Sequence, residues 1–137
     1  MKNILVPVDG SAMSDHAVAH VVATFPEAQV HLLPVEAEPT PWQTHGMEQE
    51  AILSHLHARS LEHLKSAHAI LKASSTPHVV HAVLGDVAET IVAKAAELGC
   101  EAIVMGCSGK GMLAGLVLGS VARKVIHLTT LPVTLVK

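Results

Sequence analysis

The chain has 137 residues, half of them hydrophobic, and carries a formal net charge of −3 with nine Lys and Arg in all. That length and apolar content suffice for one sizeable core, so residues 1–137 are read as a single domain. So few cations leave no basic stripe for a phosphodiester backbone, and no apolar run reaches the eighteen or so residues of a membrane span; neither nucleic acid nor membrane is an expected partner.

Residues 4–8 (ILVPV) form a β-rich run that Asp9 breaks after five apolar residues, too short for a secretory signal core. Asp9, Gly10 and Ser11 then supply turn and cap chemistry. A first helix is expected over residues 12–24, with Val18, Val21, Val22 and Phe25 on one face and His16 and His20 opposite. A second strand follows at 30–35 (VHLLPV), and then a long connection, 36–46, whose PTPW segment excludes regular structure and is read as a flap beside the site.

Periodicity places one long amphipathic helix at 47–73, with Leu53, Leu56, Leu64, Ala67 and Leu71 on a single stripe. A third strand is expected at 79–84. Asp86 with Glu89 makes a capping box ahead of Ile91, Val92, Ala95 and Leu98, and Gly99 is placed to end that helix. Residues 102–105 (AIVM) read as strand four, Val121 to Leu128 as a last helix with Ser120 as its N-cap, and 132–136 (PVTLV) as strand five. Cys100 and Cys107 lie outside any CxxC spacing and read as small buried thiols in a reducing compartment.

Strands that are apolar throughout, alternating with helices, imply right-handed crossovers. The expected fold is therefore an α/β, doubly wound, Rossmann-like, open five-stranded parallel sheet of order 3-2-1-4-5 with helices on both faces. Such a sheet binds ligands beyond the carboxyl ends of its strands where the order reverses, here between strands one and four. Five of the nine glycines fall between Gly106 and Gly119, in the loop leaving strand four. Bare backbone ahead of a helix N-terminus can cradle an anion, but it equally suits a plain loop with tight helix contacts. On glycine content alone the two readings balance.

The spacing separates them. Gly106, two residues, Gly109, nine residues, then Gly119 and Ser120 reproduce the pattern G-x2-G-x9-G-[S/T]. With ILVPVDGS, GDVAETIVAKAAELGCEAIVMG and GSVARKVIHLTTLPVTLV in order, the whole chain resembles the nucleotide-binding universal stress proteins. The resemblance implies a cytoplasmic stress-response homodimer, joined along its last strand, that binds ATP, or ADP or AMP, with or without Mg²⁺, and signals to a protein partner. In similar proteins the glycines and the Gly-Ser pair hold phosphates and ribose, which here means Gly106, Gly109, Gly119 and Ser120, with the N–H of Val121 close by. Asp9, Pro7 and Val8 would face the adenosine, backbone near Val35 the adenine, and Met105 the pocket floor. Slow ATP hydrolysis in the same pocket and an interaction module without nucleotide switching stand as alternatives. No catalytic residue or metal ligand is assigned.

Two features fall outside that pattern. Where many relatives carry Ser followed by Arg or His between the first two glycines, this chain has Cys107 and Ser108, leaving Lys110, Arg123 and Lys124 to replace the cation. The eleven histidines include His16 and His20 at i, i+4, which two-ligand spacing alone does not make a metal site, and His55, His57, His63 and His68 along the long helix, where charging near pH 6 would alter a contact.

Overall fold

A computed structural model describes residues 2–36, 45, 46, 48–81, 83–108 and 118–137, with backbone alone at Glu36, Val83 and Leu84. The expected flap, with Trp42, and the expected ligands Gly109 and Lys110 lie outside the described residues. In chain order the elements are β1 (Asn3–Val8), α1 (Ala12–Thr24), β2 (Gln29–Glu36), α2 (Gln49–Ala73), β3 (His78–Val80), β4 (Val83–Leu84), α3 (Val87–Glu97), β5 (Ala102–Gly106), α4 (Ser120–Leu128) and β6 (Val133–Val136).

Every strand pairing is parallel, and the order is β3-β2-β1-β5-β6 with β4 also on β2. Apolar strands need cover on both faces, and two helix layers supply it. Ile4, Val6, Val8, Val30 and Leu32 pack beneath Ala17, Val18 and Val21 of α1 and Ala67 and Leu71 of α2. Leu5, Leu33, Ile103 and Met105 pack on the other face against Ala88, Ile91 and Ala95 of α3 and Ala122 and Val125 of α4. This is the doubly wound sheet that the alternating pattern predicts, with strand three in two pieces.

The division of strand three has a physical reason. β3 and β4 hold one register on β2, with Leu32 opposite Val80 and Val35 opposite Val83. The Val30 N–H donates to the Pro77 carbonyl, so the even residues of β2 point toward this neighbour and position 34 would donate to His81. Pro34 has no N–H to give, and the ladder loses its bond there.

Proline acts the same way in β1. The Gln29 N–H donates to the Lys2 carbonyl, which turns the even residues of β1 toward β2 and the odd ones toward β5. Pro7 therefore withholds a donor on the β5 side. Pairing between β1 and β5 covers Ile4 with Ala102 and Leu5 with Ile103, although the strands run on to Val8 and Gly106. Register pairing of β1 with β5 thus ends short of the carboxyl ends of both strands, at the point where the strand order reverses.

Helix ends follow local chemistry. The Ser11 hydroxyl accepts from the Ser14 N–H at 3.2 Å to start α1, and Asp86 accepts from Glu89 N–H at 3.0 Å to start α3. Gly99, at φ 66°, takes the left-handed turn that ends α3. The start of α4 differs from expectation: Gly119 is its N-cap, without a side-chain cap bond, and Ser120 is its first helical residue. On α2 the expected stripe holds at Leu56, Leu64, Ala67 and Leu71, whereas Leu53 is 50% exposed, one turn beyond the core, and His63 is buried.

Candidate functional site

Beyond the carboxyl ends of β1 and β5 lies a cleft of about 290 Å³, at the small end of the range for small-molecule sites. Pro7, Val8 and Asp9 line it from β1, Val35 from β2, Met105 and Gly106 from β5, and Gly119, Ser120 and Val121 from the start of α4. Nine of the ten sequence-selected positions thus share one cavity, and the tenth, Gly109, lies outside the described residues. The wall is apolar toward Pro7, Val35, Val87 and Ile91 and polar toward Asp9, Ser14, Ser108 and Ser120.

Asp9 serves both the turn and the cleft. Its Oδ1 accepts from the Ser11 N–H at 2.9 Å, closing the turn around Gly10, whose φ of 78° suits glycine. The same residue borders the cleft, so turn chemistry and site position coexist. Ser14 reinforces the corner, its hydroxyl donating to the Ser11 carbonyl at 3.1 Å.

Two of the glycines answer to packing as well. A Cβ on Gly106 would stand 2.9 Å from Met13 Cβ and 3.1 Å from the Met13 carbonyl carbon. One on Gly119 would stand 3.2 Å from Ser108 Cα and 3.3 Å from the Cys107 oxygen, which already accepts from the Gly119 N–H at 2.7 Å. Bare backbone therefore lets α1 and the start of α4 close on the end of β5. Tight contacts and an open N-terminus occur together here.

α4 starts without a side-chain cap bond, and Ser120, Val121 and Ala122 of its first turn line the cleft, which places the partial positive charge of a helix N-terminus beside it. Both cysteines are free and buried, and burial pushes the Cys100 thiol up from its ordinary value. Cys107 lies 3.7 Å from the Met13 sulfur.

A family model described as the universal stress protein family matches residues 1–137. The chain belongs to that family. A universal stress protein of Methanothermobacter thermautotrophicus is 33% identical over 141 residues, covering 99% of this chain and 95% of the relative. The solved structure of hypothetical protein MJ0577, whose biochemical function was assigned from structure, aligns with a TM-score of 0.85 at 30% identity over 99% of this chain and 95% of that one. The universal stress protein of Archaeoglobus fulgidus, solved in complex with dAMP, shares the fold at a TM-score of 0.69 and 23% identity, over 100% of this chain and 98% of that one.

For this member of the universal stress protein family, sequence reading missed part of the cleft wall. Arg59 and His63 of α2 line it, together with Ser14, Ser108, Val87, Ile91 and Ala122. A charged residue on a long amphipathic helix looks like a solvated face, and only the i, i+4 relation of Arg59 to His63 hinted at a shared direction. Of the cations proposed to replace the missing one, Lys124 is committed elsewhere: it reaches Asp86 at 3.2 Å and Glu89 at 3.7 Å. The Glu89 N–H holds the Asp86 carboxyl below its ordinary value, with Lys124 adding to the effect. Among the described histidines, the His16 Nδ1–H donates to the Lys137 oxygen at 2.8 Å, and no described group of three His, Cys, Asp or Glu could hold a metal ion.

Proposed function

We propose that this chain is a cytoplasmic stress-response protein that binds an adenine nucleotide, ATP or its ADP and AMP relatives, and passes the occupancy of its cleft to a protein partner. The observation that carries this reading is the cleft itself. Apolar wall, Asp9 and the uncapped start of α4 meet at one switch point, which is the division of chemistry that a base, a ribose and a phosphate require. The dAMP held by a structural relative supports the same ligand class.

In this reading Val35 and Met105 border the base, Pro7, Val8 and Asp9 the adenosine, and Gly106, Gly109, Gly119, Ser120 and the Val121 N–H the phosphates, with Mg²⁺ accompanying a triphosphate. Two layers of core on one sheet support a single domain spanning residues 1–137. The free thiols suit a reducing cytoplasm. Among the described strands β6 lies at the sheet edge, and a second copy of the chain would cover its outer side.

Calorimetric titration of nucleotide-free protein with ATP, ADP and AMP, each with and without Mg²⁺, tests the proposal. Saturable binding near one nucleotide per chain is expected. Absence of heat and of any thermal stabilisation at millimolar nucleotide would overturn it.

A further inference from the structure

We propose that Arg59 is a specificity-determining residue of the cleft, the cation by which α2 selects a phosphorylated adenine nucleotide over the bare nucleoside. The assignment rests on the nucleotide reading above and adds to it a residue outside the glycine signature. Among the described residues that line the cleft, Asp9 is the carboxylate and Arg59 the only Lys or Arg. A phosphate entering beside Asp9 meets a repelling charge, and the partial charge at the start of α4 is about half an elementary unit. Arg59 brings the formal charge of the lining to zero, so that the helix terminus tips the balance toward an anion.

The sheet separates two helix layers, α1 with α2 on one face and α3 with α4 on the other. Ser120 and Val121 reach the cleft from the α3–α4 layer, while Arg59 and His63 reach it from the α1–α2 layer. A ligand between them is flanked from both sides, and a guanidinium fork can take two phosphate oxygens at once. His63, one turn along the same helix face, is 7% exposed at the cleft wall. That burial fixes which face of α2 the cleft sees and so directs Arg59 toward it. Lys124 lines the neighbouring groove and pairs with Asp86 and Glu89.

The test compares adenosine and AMP as probes on four proteins: wild type, Arg59→Gln, Arg59→Lys and Lys124→Gln. Loss of one charge-assisted contact corresponds to roughly tenfold to a hundredfold in affinity. Arg59→Gln is expected to weaken AMP by that factor and adenosine by less than about twofold, and added salt to weaken AMP less in this variant than in wild type. Arg59→Lys should restore part of the AMP preference, and Lys124→Gln should keep the wild-type ratio. An equal loss for both probes, or no loss for either, overturns the assignment while leaving the nucleotide reading standing. Failure of wild type to bind AMP overturns the assignment, and failure to bind ATP and ADP as well overturns the nucleotide reading with it.

Discussion

Gly106 and Met13 meet so closely that the glycine cannot carry a side chain: a Cβ would lie 2.9 Å from Met13 Cβ and 3.2 Å from the Ser108 oxygen. Met13 belongs to the first turn of α1, and the backbone that must give way is that of the cleft floor. Gly106→Ala is therefore expected to destabilise the fold by about 1–3 kcal/mol, the range for overpacking a tight contact. Gly119→Ala, whose nearest contacts stand at 3.2 and 3.3 Å, should cost less. Urea unfolding midpoints of the two variants against wild type decide the order.

The two serines at the starts of α1 and α4 are expected to behave differently. Ser11 caps α1 through its hydroxyl, and Ser11→Ala should cost about 0.5–2 kcal/mol of stability. Ser120 stands inside α4 as its first residue and holds no cap bond, so Ser120→Ala should leave the unfolding midpoint near wild type and act on nucleotide affinity instead. Chemical denaturation with and without AMP separates these effects. Equal destabilisation by both substitutions would contradict the assignment of Gly119 as the cap.

A histidine pair inside the sheet sets an acid limit to stability. The His31 Nε2–H donates to Asn3 Oδ1 at 3.0 Å, so its Nδ1 accepts, and His81 Nε2–H donates to it at 2.9 Å. Protonation of His31 leaves its Nε2–H bond to Asn3 but turns Nδ1 into a donor, so the bond it accepts from His81 is lost. Burial pushes the His31 ring below its ordinary value of 6.5, with His81 adding to the effect. Burial does the same to His81, where Lys94 adds and Glu97 opposes. Both rings bind protons more readily in the unfolded chain, so their contribution is complete above pH 6.5 and is lost as pH falls through the lower folded values. The slope is at most about 1.4 kcal/mol per pH unit for each proton. His81→Gln keeps a donor for His31 and removes one titrating ring, so the fall in urea midpoint between pH 7.5 and 5.5 should shrink. A profile that matches wild type would count against the pair as its source.

The fold was legible where the signal is local. Asp86 and Glu89 sit three apart and bond as their spacing implies, and the short apolar runs 4–8 and 102–105, each bounded by turn residues, are buried strands as expected. What sequence left out is set by partners far along the chain. Leu53 has the right period to be buried, but period does not say how far a helix outruns the sheet beneath it. His31 and His81 are joined by the register that places Leu32 opposite Val80, across fifty residues. Pro34 interrupts a ladder whose existence depends on that same register. At the site, the glycine spacing identified the family and one side of the cleft, whereas Arg59 and His63 required knowing where α2 crosses the sheet.

The most direct measurement is the identity of whatever the protein carries. Freshly purified protein is denatured, and the released small molecules are separated by chromatography, identified by mass and quantified against chain concentration. The account predicts an adenine nucleotide approaching one per chain, or rebinding of added AMP to the same stoichiometry once the cleft has been emptied. A preparation that releases none and takes up none would show that the glycines serve only the close packing of α1 and α4 on β5.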